Sequence, residues 1–564
     1  MEIDIRITHV PLALTLAVVL AAQTAGTAAA VPRESPTDPF FTYGRAAEYT
    51  VTSERMNVPM RDGETLACDV NRPGDAGNVP VAEQFPSIVY DFNAYDGLDQ
   101  LAVDSAYLVE RGYNILLCNV RGSGDSPGVL DPFGPQEQKD NYDLVEWAAA
   151  QPWSTDKVGQ SGVSYGGHTS MLSAANNPPH LAAVIPVDAF SDWYENTIYR
   201  GGIRSDTIRT WQASTAPATE GPYDEHPLYD EYWIDRSVKA KWQNIDVPML
   251  QVGGWYDRYR DPMMQNYSAH PDLTWVVAGP WEHGMPAGQK ADIGTGAYLA
   301  WWDKWLREDD SAPLPAQRIN SYEISSEPVE RGWQKFGQWP PAESTELTLT
   351  MGTDGGLSPV STEQGSRAYT VPADHTDAAT AAVVFSTTPL PADVVITGSP
   401  TAKVSATFTA SDGNLAVIVD DVAPDGTVER ITQGWLKASH RNGSVAPEPV
   451  IPGREYELDV RAWPTHFRLP AGHRLQVQVR SDDYPDITDD APAGDVMIRT
   501  GVGGSSDRAG PAQRCRALTG ESESTSEPPS RAAAPFVSAA GPKSCLAGRG
   551  RSRWPIVNHS FCFR

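Results

Sequence analysis

The sequence predicts an α/β domain that is followed by an all-β domain. Up to about residue 312, continuous apolar runs such as Asn114–Cys118 and Ala182–Val187 have the pattern of strands buried in a parallel sheet. Between these runs, Gln138–Ala150 carries apolar residues on adjoining faces, as a crossover helix does. After about residue 341, short alternating strands such as Leu475–Val479 are separated by Gly, Pro and Asp turns, which is typical of a β sandwich.

Changes of composition divide the chain further. The expected segments are a signal peptide (1–30), the first part of the α/β domain (39–188), a segment rich in Trp, Tyr and charge that interrupts the strand pattern (189–244), the second part of the α/β domain (245–312), a linker (313–341), the all-β domain (342–504) and a tail (505–564). The segment 189–244 resembles the helical cap of the family named below. The tail is rich in Ser, Arg, Pro and Gly and holds nine Lys plus Arg against four Asp plus Glu. We expect it to be disordered or the product of a shifted reading frame.

The N-terminus has the pattern of a secretory signal. Pro11–Ala22 is an apolar core too short to span a bilayer, and Ala28–Ala30 supplies small residues for cleavage before Val31. Against this, Glu2 and Asp4 stand where a positive flank is expected. We therefore expect a secreted protein with an unusual leader. The formal net charge of −28 argues against a nucleic-acid partner, because phosphate contacts need clustered Lys and Arg. No later stretch is apolar enough to predict a membrane span.

The strongest chemical motif is G-x-S-x-G at residues 162–166, with Ser164 at its centre. A short segment leads into it and a helix-compatible stretch, Tyr165–Asn176, follows, which is the strand–turn–helix context of a nucleophile elbow. Glycines are needed there because a missing Cβ lets the strand and the helix approach each other closely. Ser164 is therefore the candidate nucleophile.

Two later apolar runs each end in a candidate partner for this serine. Val247–Val252 leads to Asp257, and Leu273–Ala278 leads to His283. Both residues follow the carboxyl end of a predicted strand, where ligands bind in open parallel sheets. A serine needs a base and the base needs an orienting carboxylate, and the chain order Ser, Asp, His is the one found in α/β-hydrolases.

Three other residues compete for these roles. His168 falls one helical turn after Ser164 and is expected to be a helix residue near the site. His270 lies before its strand, at the wrong end for catalysis. Asp261 precedes Pro262 and is expected to begin a helix.

Five motifs in order carry a family resemblance: FNAYDG, NVRGSGDSPG, GVSYGG, GGWYD and GPWEHG. They resemble the cocaine-esterase and X-prolyl dipeptidyl-peptidase family of serine hydrolases, from about Thr50 to about Val502. The resemblance implies an α/β-hydrolase domain with an inserted helical cap, followed by a jelly-roll domain. It also implies a triad of Ser164, Asp257 and His283, with an oxyanion hole made by the Tyr95 hydroxyl and the backbone N–H of Tyr165.

The implied reaction is acyl transfer from an ester or a short peptide, with no metal or organic cofactor. An aminopeptidase must bind a free ammonium, and Asp192, Glu195 and the intervening Trp193 lie in a segment that resembles the corresponding one in the peptidases. The acidic pair of the amino-ester hydrolases is absent, since Arg258 and Tyr259 follow Asp257. We expect an X-Pro dipeptidyl-peptidase-like enzyme. The alternatives are a broad acyl esterase or acylase and an inactive binding protein.

Cys68 and Cys118 lie on predicted strands that are neighbours in the strand order of α/β-hydrolases. Two readings stay open at this point, a disulfide in an oxidising compartment or two buried free thiols. Cys515, Cys545 and Cys562 lie in the tail and have no metal-ligand spacing.

Overall fold

Two ten-stranded sheets organise the part of the chain that the structure describes. The structure is a computed structural model, which describes residues 1–8, 38–95, 105–327, 332–360, 363–373, 381–488 and 490–501. The strands are, in chain order, β1 (Glu2–Thr8), β2 (Thr50–Pro59), β3 (Thr65–Gly74), β4 (Phe85–Tyr90), β5 (Asn114–Cys118), β6 (Ser154–Val163), β7 (Leu181–Val187), β8 (Tyr199–Arg200), β9 (Ile203–Arg204), β10 (Met249–Gly254), β11 (Thr274–Gly279), β12 (Ile319–Tyr322), β13 (Ile324–Ser325) and β14 (Trp333–Phe336).

The C-terminal strands are β15 (Thr345–Met351), β16 (Leu357–Ser358), β17 (Gly365–Val371), β18 (Ala382–Ser386), β19 (Val394–Gly398), β20 (Thr401–Phe408), β21 (Asn414–Val422), β22 (Val428–Lys437), β23 (Glu455–Arg461), β24 (Thr465–Leu469), β25 (Arg474–Arg480) and β26 (Gly494–Thr500). The α-helices are α1 (Ser105–Val109), α2 (Pro135–Ala149), α3 (Tyr165–Asn176), α4 (Arg209–Thr215), α5 (Glu220–Glu225), α6 (Glu231–Ile234), α7 (Arg260–Ala269) and α8 (Gly296–Trp305).

The first sheet, here called the central sheet, has the order β14-β12-β11-β10-β7-β6-β4-β5-β3-β2. Neighbouring strands from β12 to β5 are parallel, and β14, β3 and β2 are antiparallel additions. The strands β4, β5, β7, β10 and β11 are buried on both faces, as the continuous apolar runs predicted. Because parallel strands end at one edge, the residues that follow β6, β7, β10 and β11 meet there.

The predicted helical cap is present between β7 and β10. It contains α4, α5 and α6, a π-helical turn at Tyr194–Ile198, 3₁₀ turns at Pro217–Thr219 and Lys239–Asn244, and the small β8–β9 hairpin. Its aromatic side chains pack on one another, for example Tyr223 on Trp233 with ring centroids 5.0 Å apart. The abundance of Trp and Tyr in this segment therefore builds a core for the short helices.

The predicted linker at 313–341 is wrong in this structure, because β12 and β14 in this segment extend the central sheet. The strand β12 reads Ile-Asn-Ser-Tyr and is completely buried, so its polar residues hid it from a search for apolar runs. Ser321, for example, accepts a hydrogen bond from Nε1 of Trp255 at 3.1 Å. Such partners make polar residues acceptable inside a sheet.

The C-terminal part is rich in β-strands, as predicted, and forms two sheets. The larger one, here called the large C-terminal sheet, has the order β13-β24-β19-β1-β20-β26-β17, with β15 and β16 joined through β1 and with β23 joined to β20. The smaller one has the order β18-β25-β21-β22. Burial alternates along strands such as β25 and β23, so one face of each strand packs inward.

The strand β1 lies inside the segment predicted as a signal peptide. Ile3, Ile5 and Ile7 are buried, and residues 2–7 pair antiparallel with β15. Cleavage after residue 30 would remove this strand from the sheet. The acidic residues that looked unusual in a leader occupy the polar positions of an alternating strand, and the signal peptide stays a prediction. The predicted apolar core and cleavage site lie outside the described residues.

Cys68 on β3 and Cys118 on β5 are directly paired across the two antiparallel strands and form a disulfide. The structure thus decides between the two readings that the sequence left open. Within the described residues, no helix is both long enough and apolar enough to cross a membrane. The tail predicted at 505–564 lies outside the described residues.

Candidate active site

Ser164 lies in a sharp turn between β6 and α3, with φ 54° and ψ −111°. A positive φ is unfavourable for a residue with a Cβ and is kept here by the packing around the turn. A Cβ on Gly166 would lie 2.1 Å from Oδ1 of Asp91, and one on Gly162 would lie 2.7 Å from the backbone of Gly166. The two glycines of the motif therefore allow the strand and the helix to meet at the serine.

The predicted triad is brought together at the carboxyl edge of the central sheet. Nε2 of His283 lies 2.9 Å from Oγ of Ser164, and Nδ1 lies 2.5 Å from Oδ2 of Asp257. The other carboxylate oxygen of Asp257 accepts a 2.5 Å hydrogen bond from the backbone N–H of Tyr259. This leaves the carboxylate with one orientation, in which it holds the imidazole toward the serine.

The environment of His283 favours its charged form. Burial alone would lower the pKa, but the hydrogen bond that His283 donates to Asp257 and the negative charge of Asp257 outweigh it, so the pKa of His283 lies above the ordinary 6.5. Such a histidine is a stronger base than a free imidazole, and its imidazolium is stabilised once it has taken a proton. The side chain is about one-third exposed, 35%, so a substrate can reach it.

The rival residues occupy other positions. His168 is buried in α3, where its Nδ1 accepts a hydrogen bond from the backbone N–H of Phe190 at 3.1 Å, and burial lowers its pKa well below 6.5. Because its Nδ1 is occupied by the N–H of Phe190 and its lowered pKa makes it a weak base, His168 is not suited to activate Ser164. His270 ends α7 and contacts the carbonyl of Trp242. Asp261 lies in the first turn of α7, as expected, and pairs with Arg461.

The two residues that carry the proposed oxyanion donors are in contact through their rings. Tyr165 is the first residue of α3, so its backbone N–H has no partner within the helix. The ring of Tyr95 packs edge-on against the ring of Tyr165, with centroids 6.0 Å apart. The Tyr95 oxygen accepts a 3.0 Å hydrogen bond from Nε1 of Trp211, which leaves the phenolic O–H as a donor. Trp211 belongs to the cap and was not identified from the sequence.

The predicted ammonium-binding residues are placed differently from the expectation. Asp192 is buried: Oδ1 accepts from the backbone N–H of Glu195, and Oδ2 accepts from the hydroxyls of Tyr229 and Ser237. Because both oxygens have partners inside the protein, Asp192 organises the cap, and its role as a substrate ligand stays a prediction. Glu195 is exposed and pairs with Lys239 at 2.7 Å.

Trp193 points into an aromatic cluster next to the triad. It packs on Phe133, with centroids 4.7 Å apart, and its Nε1 donates to the hydroxyl of Tyr223 at 3.0 Å. The cluster continues through His168 to Tyr259, whose ring lies 5.7 Å from that of His283. The surroundings of the triad on this side are therefore mainly aromatic.

Asp188 is a site residue that the sequence interpretation missed. It directly follows β7, its Oδ2 accepts from the backbone N–H of Gly284 at 2.8 Å, and it lies 3.8 Å from Nδ1 of His283. Its position after a strand's carboxyl end is the signal that identified Asp257 and His283, so it could have been found in the same way. Burial, and then the charge of Asp257, raise the pKa of Asp188 well above 3.8.

Asp188, Asp257 and His283 are also the described group whose ligand atoms are close enough to hold a cation, within 4.8 Å of one another. Both ring nitrogens of His283 already face partners in the triad, Ser164 and Asp257. This arrangement suits proton transfer from the serine.

Comparisons with known proteins agree with this geometry. A family model for X-Pro dipeptidyl-peptidase (S15 family) matches residues 62–222 and 206–285, and one for the X-Pro dipeptidyl-peptidase C-terminal non-catalytic domain matches residues 315–496. The chain is 24% identical to a cocaine esterase of Rhodococcus sp., over 80% of this chain and 94% of the relative. It is 22% identical to a putative Xaa-Pro dipeptidyl-peptidase of Bacillus cereus, over 69% and 75% of the two chains.

A solved CocE/NonD family hydrolase from Staphylococcus aureus has the same fold, with a TM-score of 0.70 at 19% identity, and the match covers 81% of this chain and 95% of that one. The two family models match consecutive parts of the chain in the order in which the central sheet and the C-terminal sheets occur. The chain therefore belongs to the family of hydrolases that contains the S15 X-Pro dipeptidyl-peptidases and cocaine esterase.

Proposed function

We propose that the protein is a serine esterase that hydrolyses carboxylic esters through an acyl-enzyme on Ser164. The observation that carries the proposal is the relay from Oγ of Ser164 through His283 to Asp257, with contacts of 2.9 and 2.5 Å. A serine hydroxyl is a weak nucleophile until an adjacent base can take its proton. An inactive binding protein, one of the alternatives from the sequence, would have no need of this relay.

The chemistry follows from the relay. As Oγ of Ser164 attacks the ester carbonyl carbon, Nε2 of His283 takes the hydroxyl proton, and Asp257 stabilises the resulting imidazolium. The imidazolium then gives this proton to the leaving alcohol as the carbon–oxygen bond breaks. Water, activated by the same histidine, attacks the acyl-enzyme and releases the acid together with free Ser164.

Charge that develops on the carbonyl oxygen needs donors that are already in place. The backbone N–H of Tyr165 and the hydroxyl of Tyr95 are the proposed donors. Trp211 supports this role, because its hydrogen bond to the Tyr95 oxygen fixes the phenol and leaves the O–H for the oxyanion. The cap thereby takes part in organising the site.

The contacts of Asp192 favour an ester over a dipeptide as substrate. A dipeptidyl-peptidase must compensate the ammonium of its substrate, but both oxygens of Asp192 are bound to groups of the protein itself. Glu195 is balanced by Lys239. The aromatic cluster around His168 suits an uncharged acyl group. X-Pro dipeptidyl-peptidase activity stays a prediction that family membership supports.

The finer architecture belongs to the same proposal. The order of the central sheet and the turn at Ser164 support an α/β-hydrolase core. The two C-terminal sheets, in which every pair except β13–β24 is antiparallel, support the jelly roll that the sequence led us to expect.

The test compares matched substrates that differ only in the ammonium. We would measure kcat/KM for alanyl-prolyl-nitroanilide and its N-acetyl form, and for a pair of alanine nitrophenyl esters, free and N-acetylated. An esterase of this kind should show no preference for the free amine and should cleave the blocked ester readily. A preference for the free amine of roughly ten- to a hundredfold, the value of a charged contact, would establish the peptidase instead. Ser164→Ala is the control for background hydrolysis.

A further inference from the structure

The strand β1 joins three parts of the large C-terminal sheet. On one side it pairs with β15 over six residues, from Glu2 opposite Thr350 to Ile7 opposite Thr345. On the other side its start pairs with β20 and its end with β19. Among the described strands, β15 pairs only with β1 and β16, and β19 reaches β20 only through β1. Without β1 the sheet would separate into three pieces.

The side chains of β1 fit this position on both faces. Ile3, Ile5 and Ile7 are 0%, 2% and 5% exposed and belong to the hydrophobic core. Burying three isoleucines is a large contribution on the scale of a domain's net stability. The two neighbours of Ile5 in sequence, Asp4 and Arg6, point to the other face.

Polar contacts fix the register of the strand. Asp4 accepts from the hydroxyl of Thr348 at 2.6 Å and from Nζ of Lys403 at 2.7 Å, so it bridges the strands on either side. The ammonium group of Met1 donates to the carbonyl of Gly501 at 3.1 Å, and the carbonyl of Met1 accepts from the N–H of Met351 at 3.1 Å. A slip by one residue would turn the isoleucines outward and break these contacts.

We propose that the large C-terminal sheet contains a strand-binding groove, bounded by β15 on one side and by β19 and β20 on the other, and that its occupant is the protein's own residues 2–8. The segment is thus kept in the folded enzyme as a structural strand and is not discarded with a leader. The groove selects a strand with apolar residues at alternate positions and an acidic residue opposite Lys403. This proposal is independent of the substrate class.

The proposal and the predicted leader differ in one observable, the N-terminal residue of the active enzyme. Export with cleavage before Val31 stays a prediction of the sequence. Mass spectrometry of active full-length enzyme, purified after expression with its own N-terminus, should find a peptide that contains residues 2–8. Active enzyme that begins at Val31 and melts at the same temperature as the uncleaved chain would overturn the proposal.

A matched pair of substitutions tests the strand within the intact chain. Ile5→Asp places a carboxylate in the core and should lower the melting temperature by roughly 10 °C. Arg6→Asp introduces the same side chain one residue later, on the half-exposed face, where the arginine is 47% exposed, and should lower it by about 2 °C or less. Equal shifts would show that β1 is not packed in the sheet. This comparison does not depend on whether a truncated chain folds.

Complementation tests the groove itself. A chain that begins at Val31 should melt at a lower temperature than the full chain. A synthetic peptide of residues 1–8 should raise the melting temperature of this shorter chain as the peptide concentration is increased and the groove fills. The same peptide with Ile3, Ile5 and Ile7 replaced by Asn should have no effect. If the two peptides act alike, or if neither binds the folded truncated chain, the groove does not have the proposed specificity.

Discussion

The carboxyl group of Asp188 lies 3.8 Å from Nδ1 of His283, the same nitrogen that contacts Asp257 at 2.5 Å. The two acids follow different strands, β7 and β10, which are neighbours in the central sheet. Burial, and then the charge of Asp257, raise the pKa of Asp188, so the charged form of Asp188 is disfavoured beside Asp257. Loss of the Asp257 charge would remove one of the two causes of this raised pKa.

This relationship predicts a reserve role for Asp188. Asp257→Asn should lower kcat/KM by roughly 10² to 10³, and Asp188→Asn in that background should lower it about tenfold further. Asp188→Asn in the wild-type background should cost less than about threefold, because Asp257 makes the closer contact with Nδ1 of His283 there. Steady-state kinetics on one nitrophenyl ester, measured for the wild type, both single variants and the double variant, would complete this double-mutant cycle. If the fold losses in kcat/KM of the two single substitutions multiply to give that of the double variant, Asp188 has no role as a second acid.

The triad itself predicts non-additive losses. Ser164→Ala should lower kcat by roughly 10⁴ to 10⁶, and His283→Ala by about as much, because neither group works without the other. The double variant should be little worse than either single variant. Active-site labelling with a fluorophosphonate is the second measurement, since it should fail in Ser164→Ala. If that variant kept a tenth of the activity, the nucleophile would be another residue.

The environment of His283 predicts the pH dependence of hydrolysis. The imidazole must be neutral to take the serine proton, and its pKa lies above 6.5 because of Asp257. The value of kcat/KM should therefore rise with pH along a limb whose apparent pKa exceeds 6.5, and then level off. Asp257→Asn should move this limb to lower pH as well as lower the plateau. A limb that did not move would mean that another group controls the titration.

The contact between Trp211 and Tyr95 predicts a graded effect on the oxyanion. Tyr95→Phe removes the donor and should lower kcat by roughly 10² to 10³ with little change in KM. Trp211→Phe leaves the Tyr95 hydroxyl in place but removes the hydrogen bond that fixes its ring, so a smaller loss in kcat of about tenfold is expected. Thermal melting of both variants is the control. A drop in melting temperature with unchanged kcat would assign both side chains to packing.

Asp91 behind the nucleophile turn predicts a pH-dependent stability. Burial raises its pKa from 3.8 to about 7, so the folded protein keeps the proton to higher pH than the unfolded chain does. This group should therefore destabilise the fold progressively as the pH rises from about 4 to about 7, and by a constant amount above that. Asp91→Asn should raise the melting temperature at pH 8 and change it little at pH 4, unlike the exposed control Asp272→Asn.

Local patterns were sufficient for the part of the site that depends on strand ends. Asp257 and His283 each follow a strand that the sequence shows as an apolar run, and Ser164 was found from its own motif. Parallel strands bring such strand ends to one edge. The nucleophile elbow could also be predicted from local sequence, because its glycines and its helix directly adjoin Ser164. The alternating pattern of the C-terminal strands likewise predicted a β-rich region without any knowledge of their partners.

Only the tertiary structure decided which groups satisfy one another. The sequence shows Asp192 as a free carboxylate, but distant residues, Tyr229 and Ser237, bind it. Residues 2–8 were missed because their strand partners are hundreds of residues away in the chain. The polar strand β12 was missed because its burial depends on hydrogen bonds such as the one from Trp255 to Ser321. Hydrophobic periodicity is a local property of the chain, whereas strand pairing and the satisfaction of buried polar groups depend on contacts that exist only after folding.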